Sequence, residues 1–339
     1  MKIKIDIMRP LQSILKNLLR KTTFFVAFSI LGISSAYAQT PWPKAQTIRF
    51  IVPFTPGSGT DVIARLLANR LAETLQTSIF VENKPGAGGT IGAGIVAKAE
   101  PNGYTFLITS SGHTVNPSLY TSLPYDTLKD FSGVTSLVEL PNVMVTSPSA
   151  GYASVNDLVT KAQASPGTKN YASAGNGSAT HMNAEKFRVA AKINANHIPY
   201  KGTPDAITDT MAGRVDWFFS PIVSALPLIK DGKLQALAVG TEKRSPVLPN
   251  VPTTAEAGVP NSAYTFWVGL FAPSKTPRKI IDQMNQSIIT VMKEPQIVAQ
   301  LNKLGAEPIL MSPLKFDQMV KVEMDSNAIL VKESKMVVN

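Results

Sequence analysis

The polar groups of this chain that could do chemistry gather in two loops built from small residues. In the first, the apolar run Ile48-Arg-Phe-Ile-Val-Pro-Phe54 leads into Thr55-Pro-Gly-Ser-Gly-Thr-Asp61. In the second, Asn170-Tyr-Ala-Ser-Ala-Gly-Asn-Gly-Ser-Ala-Thr180 gives a strand, a small-residue turn and a helix start. Each pattern aims unpaired backbone N–H groups and hydroxyls at the positive end of a helix dipole, which suits an anion. Thr60 or Asp61 could equally be a plain helix cap, and Gly175-Asn-Gly-Ser178 could serve its helix in the same way. Two such loops without a recognisable catalytic set point to a protein that holds a small anionic ligand and does not transform it.

Other candidates carry less. Ser110-Ser-Gly-His-Thr-Val-Asn116 follows an apolar strand pattern, at the end where open α/β sheets bind ligands, and Ser110, Ser111, His113 and Asn116 could donate hydrogen bonds there. Asn83-Lys-Pro-Gly-Ala-Gly-Gly-Thr-Ile-Gly92 is glycine-rich but lacks the Gly-Lys-Ser/Thr ending of a phosphate loop. The looser dinucleotide pattern from Gly92 has no acidic partner about twenty positions on. A close backbone turn bordering a cleft fits that stretch better than a cofactor, and no cofactor is expected. The histidines number three, His113, His181 and His197, without metal-ligand spacing, so no metal site is expected. His181 sits near the start of the second anion-site helix, and His197 reads as a core residue. Neither Ser58 nor Ser178 lies in a Gly-x-Ser-x-Gly elbow. The chain has no cysteine, which removes disulfides, thiolate nucleophiles and thiolate metal sites.

Those loops need strands and helices to hold them. Short β-branched or aromatic runs at 47–52, 78–81, 105–108, 143–146, 170–173, 196–199, 217–219 and 234–239 alternate with helical periodicity, which predicts an α/β fold. Residues 61–75, 277–304 (interrupted near Pro295) and 312–332 read as helices. The length of 339 residues allows one large or two medium domains. Leu137–Asn142 and the extended apolar run Tyr264–Pro273 read as crossings between lobes. The expected fold is a two-lobed binding protein, each lobe a mostly parallel sheet flanked by helices, with the ligand cleft between. Lobe 1 then comprises 39–138 and 268–339 and lobe 2 comprises 139–267, with hinges near 137–142 and 264–272.

The N-terminus reads as a secretory leader. Lys16, Arg20 and Lys21 precede the apolar stretch Phe24–Ile33, and Ala36-Tyr37-Ala38 is a small-x-small cleavage site, giving a mature chain from Gln39. The apolar run is well short of the roughly 20 residues that a membrane span needs. The basic lead-in is long, so Met8 competes with Met1 as the start. Of the formal charge of +10, the segment 1–38 holds six basic residues and one acidic residue, leaving +5. The remaining cations are scattered, which disfavours nucleic acid and leaves a mild field favouring anions.

Taken together, the motifs carry a family resemblance. Phe54-Thr-Pro-Gly-Ser-Gly-Thr-Asp61, Glu82-Asn-Lys-Pro-Gly-Ala-Gly-Gly89, Pro101-Asn-Gly-Tyr-Thr105, Tyr171-Ala-Ser-Ala-Gly-Asn-Gly-Ser178, Pro199-Tyr-Lys-Gly-Thr203, Gly213-Arg-Val-Asp216 and Leu248-Pro-Asn-Val-Pro-Thr-Thr-Ala-Glu-Ala-Gly258 occur in order over the mature chain. This set resembles Bug-type substrate-binding proteins of tripartite tricarboxylate transporters. The resemblance implies a periplasmic protein, read here as a monomer, that closes on a small carboxylate and delivers it to membrane permease subunits. Carried over residue by residue, it implies ligand contacts from Phe54, Gly57, Ser58, Gly59, Thr60, Asp61, Ser110, Ser111 and His113 in the first lobe. In the second lobe it implies Ser173, Ala174, Gly175, Asn176, Gly177, Ser178, Thr180, His181, Tyr200, Lys201, Gly202 and Asp216. The chain departs from the family pattern at Ser58, where glycine is common, and at Phe219-Ser220-Pro221, which replaces Phe-Asp-Asn, so Ser58 and Ser220 bear on specificity. Two alternatives stay open: a binding protein that signals to a membrane sensor kinase, and a secreted enzyme with His181 or Asp61 as base.

Overall fold

The computed structural model describes residues 42–264 and 266–336. The leader reading of 1–38, the cut after Ala38 and the choice between Met1 and Met8 fall outside the described residues, as does Thr265 in the second crossing.

The first sheet begins as two β–α–β units. β1 (Ile48–Val52) leads through α1 (Gly59–Leu75) to β2 (Ile79–Asn83), then through α2 (Thr90–Ala97) to β3 (Thr105–Ser110). α1 forms because Ile63, Leu67 and Leu71, with Ala64 and Ala68, recur at helical spacing and are buried together. It stops at Gln76, which takes the left-handed conformation (φ 50°) and donates its N–H back to the carbonyls of Ala72 and Glu73. After the short α3 (Asn116–Leu119) comes β4 (Phe131–Glu139), and at Leu140-Pro141 the chain passes to the second sheet.

That sheet contains β5 (Asn142–Thr146), α4 (Val155–Ala164), β6 (Lys169–Ser173), α5 (Ala179–Ala190), β7 (Ala195–Pro199), α6 (Thr203–Met211), β8 (Trp217–Pro221), α7 (Ile222–Lys230) and β9 (Gln235–Val239). The chain returns through 240–266 to β10 (Trp267–Pro273), α8 (Arg278–Met292), α9 (Pro295–Lys303), β11 (Glu307–Pro308) and α10 (Pro313–Glu333). Strand order is β11-β4-β10-β3-β1-β2 in the first sheet and β7-β6-β8-β5-β9 in the second. The two passages touch, since the Leu140 N–H donates to the Phe266 carbonyl at 2.7 Å.

Two sheets flanked by helices are the expected α/β architecture, but the sheets are mixed, not mostly parallel. β1 runs parallel to β2 and β3, and β6 to β7 and β8; the other five pairings are antiparallel. The physical reason lies in β4, β5 and β10, which carry the chain between sheets. The chain enters β5 and β10 from the other sheet with no crossover helix between, so nothing forces a parallel entry.

Strand β4 is a further departure. Its polar residues Ser132, Ser136 and Thr135, with Gly133, hide the strand pattern, although its central positions are fully buried. The C-terminal segment satisfies three of them: Asp317 accepts the Gly133 N–H at 2.7 Å, the Thr135 hydroxyl donates to the Met311 carbonyl at 3.0 Å, and the Ser136 hydroxyl donates to the Ile309 carbonyl. The apolar run read only as a crossing becomes strand β10 from Trp267 onward, buried along its whole length between β3 and β4.

Candidate functional site

The carboxyl ends of β1 and β3 in one sheet and of β6, β7 and β8 in the other face a common cleft. At its first wall, α1 starts after Ser58, whose backbone is extended and whose side chain makes no cap to its own helix. The Ser58 carbonyl takes the Val62 N–H, so the N–H groups of Gly59 and Thr60 have no intrahelical partner. At the second wall, α5 starts after Ser178, whose hydroxyl accepts the His181 N–H at 3.3 Å and lies 3.0 Å from the Thr180 hydroxyl. Ala179 and Thr180 are the open donors there.

Between these helix ends lies a cavity of about 20 Å³, room for about one water. Of the residues the sequence singled out, Phe54, Ser58, Gly59, Thr60, Ser110, Ala174, Ser178 and Thr180 line it, joined by Ala179, Thr203, Pro221 and Phe266. No lining residue is charged. The lobes meet on both sides of the cavity. On one rim the Thr203 N–H donates to the Ser58 hydroxyl at 3.2 Å and the Ser224 hydroxyl donates to the Gly57 carbonyl at 3.3 Å. On the other, the Tyr120 hydroxyl donates to the Asn176 carbonyl at 3.2 Å. Gly112 belongs to the second rim: a Cβ there would sit 2.7 Å from the Gly177 carbonyl oxygen, so backbone meets backbone only without a side chain.

The charged and aromatic candidates support these loops from behind. Asp61 is buried and accepts from the Gly57 N–H (2.9 Å), Arg65 Nε (3.0 Å) and Asn83 Nδ2 (2.8 Å). Burial pushes its carboxyl up, but these hydrogen bonds and the Arg65 charge outweigh that and hold it below the usual carboxylate range. Asn83 also donates to the Phe54 carbonyl at 2.9 Å, and so pins the loop from strand β2. In the second loop the Gly177 N–H donates to His181 Nδ1 at 3.0 Å, and the His181 ring stacks on His197 with centroids 3.7 Å apart. His197 Nε2 lies 2.6 Å from the Ser173 hydroxyl, which accepts the Gly175 N–H at 3.0 Å. Burial lowers the His181 pKa to about 3 and that of His197 to about 2, so both rings are neutral spacers.

Several expected contacts are not brought to the cleft. His113 is buried against Phe131, Phe271 and Tyr125 at 4.9–5.6 Å, and burial lowers its pKa to about 3. Ser111 beside it is also buried. The Tyr200 hydroxyl donates to Asp209 at 2.6 Å, Lys201 is exposed, and Gly202 lies on the first rim against Thr55 and Ser58. Asp216 requires a correction. It precedes β8 while the cavity adjoins that strand's far end, about 16 Å away at strand rise. Its carboxylate is engaged by the Tyr152 hydroxyl (2.5 Å) and the Asn170 N–H (2.8 Å). The Ser220 hydroxyl donates to the Pro221 carbonyl at 3.2 Å, and it is Pro221 that reaches the cavity. Thr203 and Pro221 close motifs noted in the sequence and Phe266 lies in the second crossing, but only the folded arrangement brings them to the cavity. Asn83 had a signal, a polar residue ending a strand beside the first loop.

A cleft between two α/β sheets, entered by facing helix N-termini and bridged by two chain passages, defines a two-lobed solute-binding protein. The model of the tripartite tricarboxylate transporter family receptor matches residues 63–336, and the chain belongs to that family. It is 35% identical over 305 residues to the protein BugT of Bordetella pertussis, covering 89% of this chain and 93% of that one. Among solved structures it resembles R. palustris Rpa4515 with adipate (TM-score 0.84, 32% identity, 88% of this chain and 99% of that chain). It also resembles MatC from Rhodopseudomonas palustris with bound malate (TM-score 0.80, 31% identity, 84% and 98%).

Proposed function

We propose that this protein captures a small dicarboxylate in the periplasm, between the N-termini of α1 and α5, and delivers it to the membrane subunits of a tripartite transporter. One observation carries this reading: two helix N-termini face each other across a single cavity lined by hydroxyls and apolar walls, with no charged side chain. Each terminus favours a carboxylate by about 0.3–2 kcal/mol, and each charge-assisted hydrogen bond adds about 1.5–3 kcal/mol. Several together reach the roughly 8 kcal/mol of micromolar binding after ordering costs. Relatives holding adipate and malate support the class of ligand.

A diacid cannot enter a cavity of 20 Å³ unless the rims part. In this reading the lobes turn about the two passages between the sheets, at Leu140-Pro141 after β4 and just before β10, and the ligand favours closure by touching both walls at once. The leader is removed after Ala38, which an intact mass of the exported protein checks. Titration calorimetry with malate, adipate and succinate tests the site. Ser178→Ala and Thr60→Ala each weaken the best ligand about fivefold or more, the worth of one lost hydrogen bond. Unchanged affinity in both variants would sink the assignment. Uptake of the labelled diacid by a deletion strain tests delivery.

A further inference from the structure

Behind the crossings lies a second cavity between the lobes, about 670 Å³, with Glu139, Pro141 and Glu307 on one wall and Lys186, Lys243 and Ser245 on the other. The crossings separate it from the ligand cleft. Along the extended Glu139-Leu140-Pro141, Leu140 turns towards Gly59 beside the cleft, while its two neighbours turn to the rear groove. In the return passage Phe266 lines the cleft and Tyr264 the groove. A rigid rotation about the crossings that widens one space must narrow the other.

The charges of this groove are arranged for a contact that is not made here. Glu139 and Glu307 stand directly opposite each other in the β4–β11 pairing, and like charges so placed destabilise a sheet edge. Burial and the Glu307 charge raise the Glu139 pKa. Neither carboxylate has an ion pair among the described residues, and neither do Lys186 and Lys243 across the gap. Arg244, in the same loop, is engaged with Glu256 at 2.8 Å, and Glu242 is the one acid on that wall. The first-lobe wall is therefore acidic and the second-lobe wall predominantly basic.

We infer that the rear groove is an electrostatic latch for the open form: as the cleft opens, Lys186 and Lys243 close onto the opposed carboxylates Glu139 and Glu307. The latch sets how much the ligand must contribute to close the lobes, and so tunes affinity from outside the binding site. It rests on the hinge reading above.

The chain lacks cysteine, so spin labels at Ile91→Cys on α2 and Thr208→Cys on α6 report the cleft opening without competing sites. Pulsed electron–electron resonance without added diacid is expected to give a long-distance population that falls as NaCl is raised. In Glu139→Gln/Glu307→Gln that population is smaller by about three- to fivefold at low salt, the scale of one or two partly exposed ion pairs, and insensitive to salt. Lys186→Ala/Lys243→Ala tests the same contacts from the other wall should the first variant fold poorly. Equal open fractions in wild type and both variants, with the lobes still moving, would overturn the latch alone. One distance in every sample, unchanged by millimolar malate or adipate, would overturn the hinge reading with it.

Discussion

The two loops that face each other across the cleft read alike in sequence and are held by different physics. The first is braced by charge: Asp61 gathers Arg65, Asn83 and the Gly57 N–H, and Asn83 reaches back to Phe54. The second is braced by neutral groups, with stacked His181 and His197 holding the Gly177 N–H and the Ser173 hydroxyl. The two N-cap serines differ as well. Ser178 caps its own helix, whereas Ser58 leaves its helix uncapped and accepts a hydrogen bond from Thr203 of the opposite lobe. The side chain of the first loop therefore reaches the opposite lobe, while the second loop is held by groups of its own lobe.

Breaking the braces has the largest expected effect. Asp61→Ala takes the acceptor from the Gly57 N–H and one of two acceptors from the Asn83 amide, and each such hydrogen bond to a charged group is worth about 1.5–3 kcal/mol. Urea unfolding should show a loss of about 2–4 kcal/mol, moderated because Arg65 is half exposed and can turn to water. His181→Leu removes only the acceptor of the Gly177 N–H, and the same measurement should show about 1–3 kcal/mol. Equal losses in the two variants would erase the distinction between a charged and a neutral brace.

The caps sharpen the comparison at smaller cost. Ser178→Ala should lower stability by about 0.5–2 kcal/mol together with ligand affinity. Ser58→Ala should leave stability within about 0.5 kcal/mol of wild type and weaken binding alone, since its bond forms only between closed lobes. Gly112→Ala belongs with Ser58→Ala, because its Cβ meets the Gly177 carbonyl only when the rims touch. Calorimetry should show weaker binding on an unchanged melting temperature.

Acid should separate the loops most gently. His181 and His197 bind protons in the unfolded chain below about pH 6.5 but in the folded chain only near 3 and 2, so their contribution falls as pH drops from 6.5. Asp61 is depressed from 3.8, so its contribution persists until pH falls below that value. Amide exchange between pH 6.5 and 4.5 should therefore rise, relative to its intrinsic rate, at 174–181 before 54–61. Glu323 acts in the opposite sense. It accepts from Trp267 Nε1 at 2.5 Å and burial pushes its pKa up to about 7, so its ionisation lowers stability as pH rises from 4.5 through 7. Glu323→Gln should raise the melting temperature at pH 8 more than at pH 5, by on the order of 1 kcal/mol of stability.

The sequence by itself determined the local pieces. Helical spacing of Ile63, Leu67 and Leu71, the turn glycines and the small residues before α1 and α5 fix strand, loop and helix start, because these are properties of neighbouring residues. β4 escaped because Gly133, Thr135 and Ser136 are satisfied by partners some 173–184 residues away, and no local rule registers such bonds. In the site, hydroxyl and glycine positions before the helices could be read, while the facing of Asp61, His113, His181 and Asp216 could not. A polar side chain is equally able to meet a ligand or to tie down a loop, and its direction depends on what the rest of the chain places beside it. Only the tertiary structure brought Thr203, Pro221 and Phe266 to the cavity and set Glu139 against Glu307 behind it. Those juxtapositions belong to the packing of two sheets about two crossings, a long-range arrangement that no short stretch of sequence encodes.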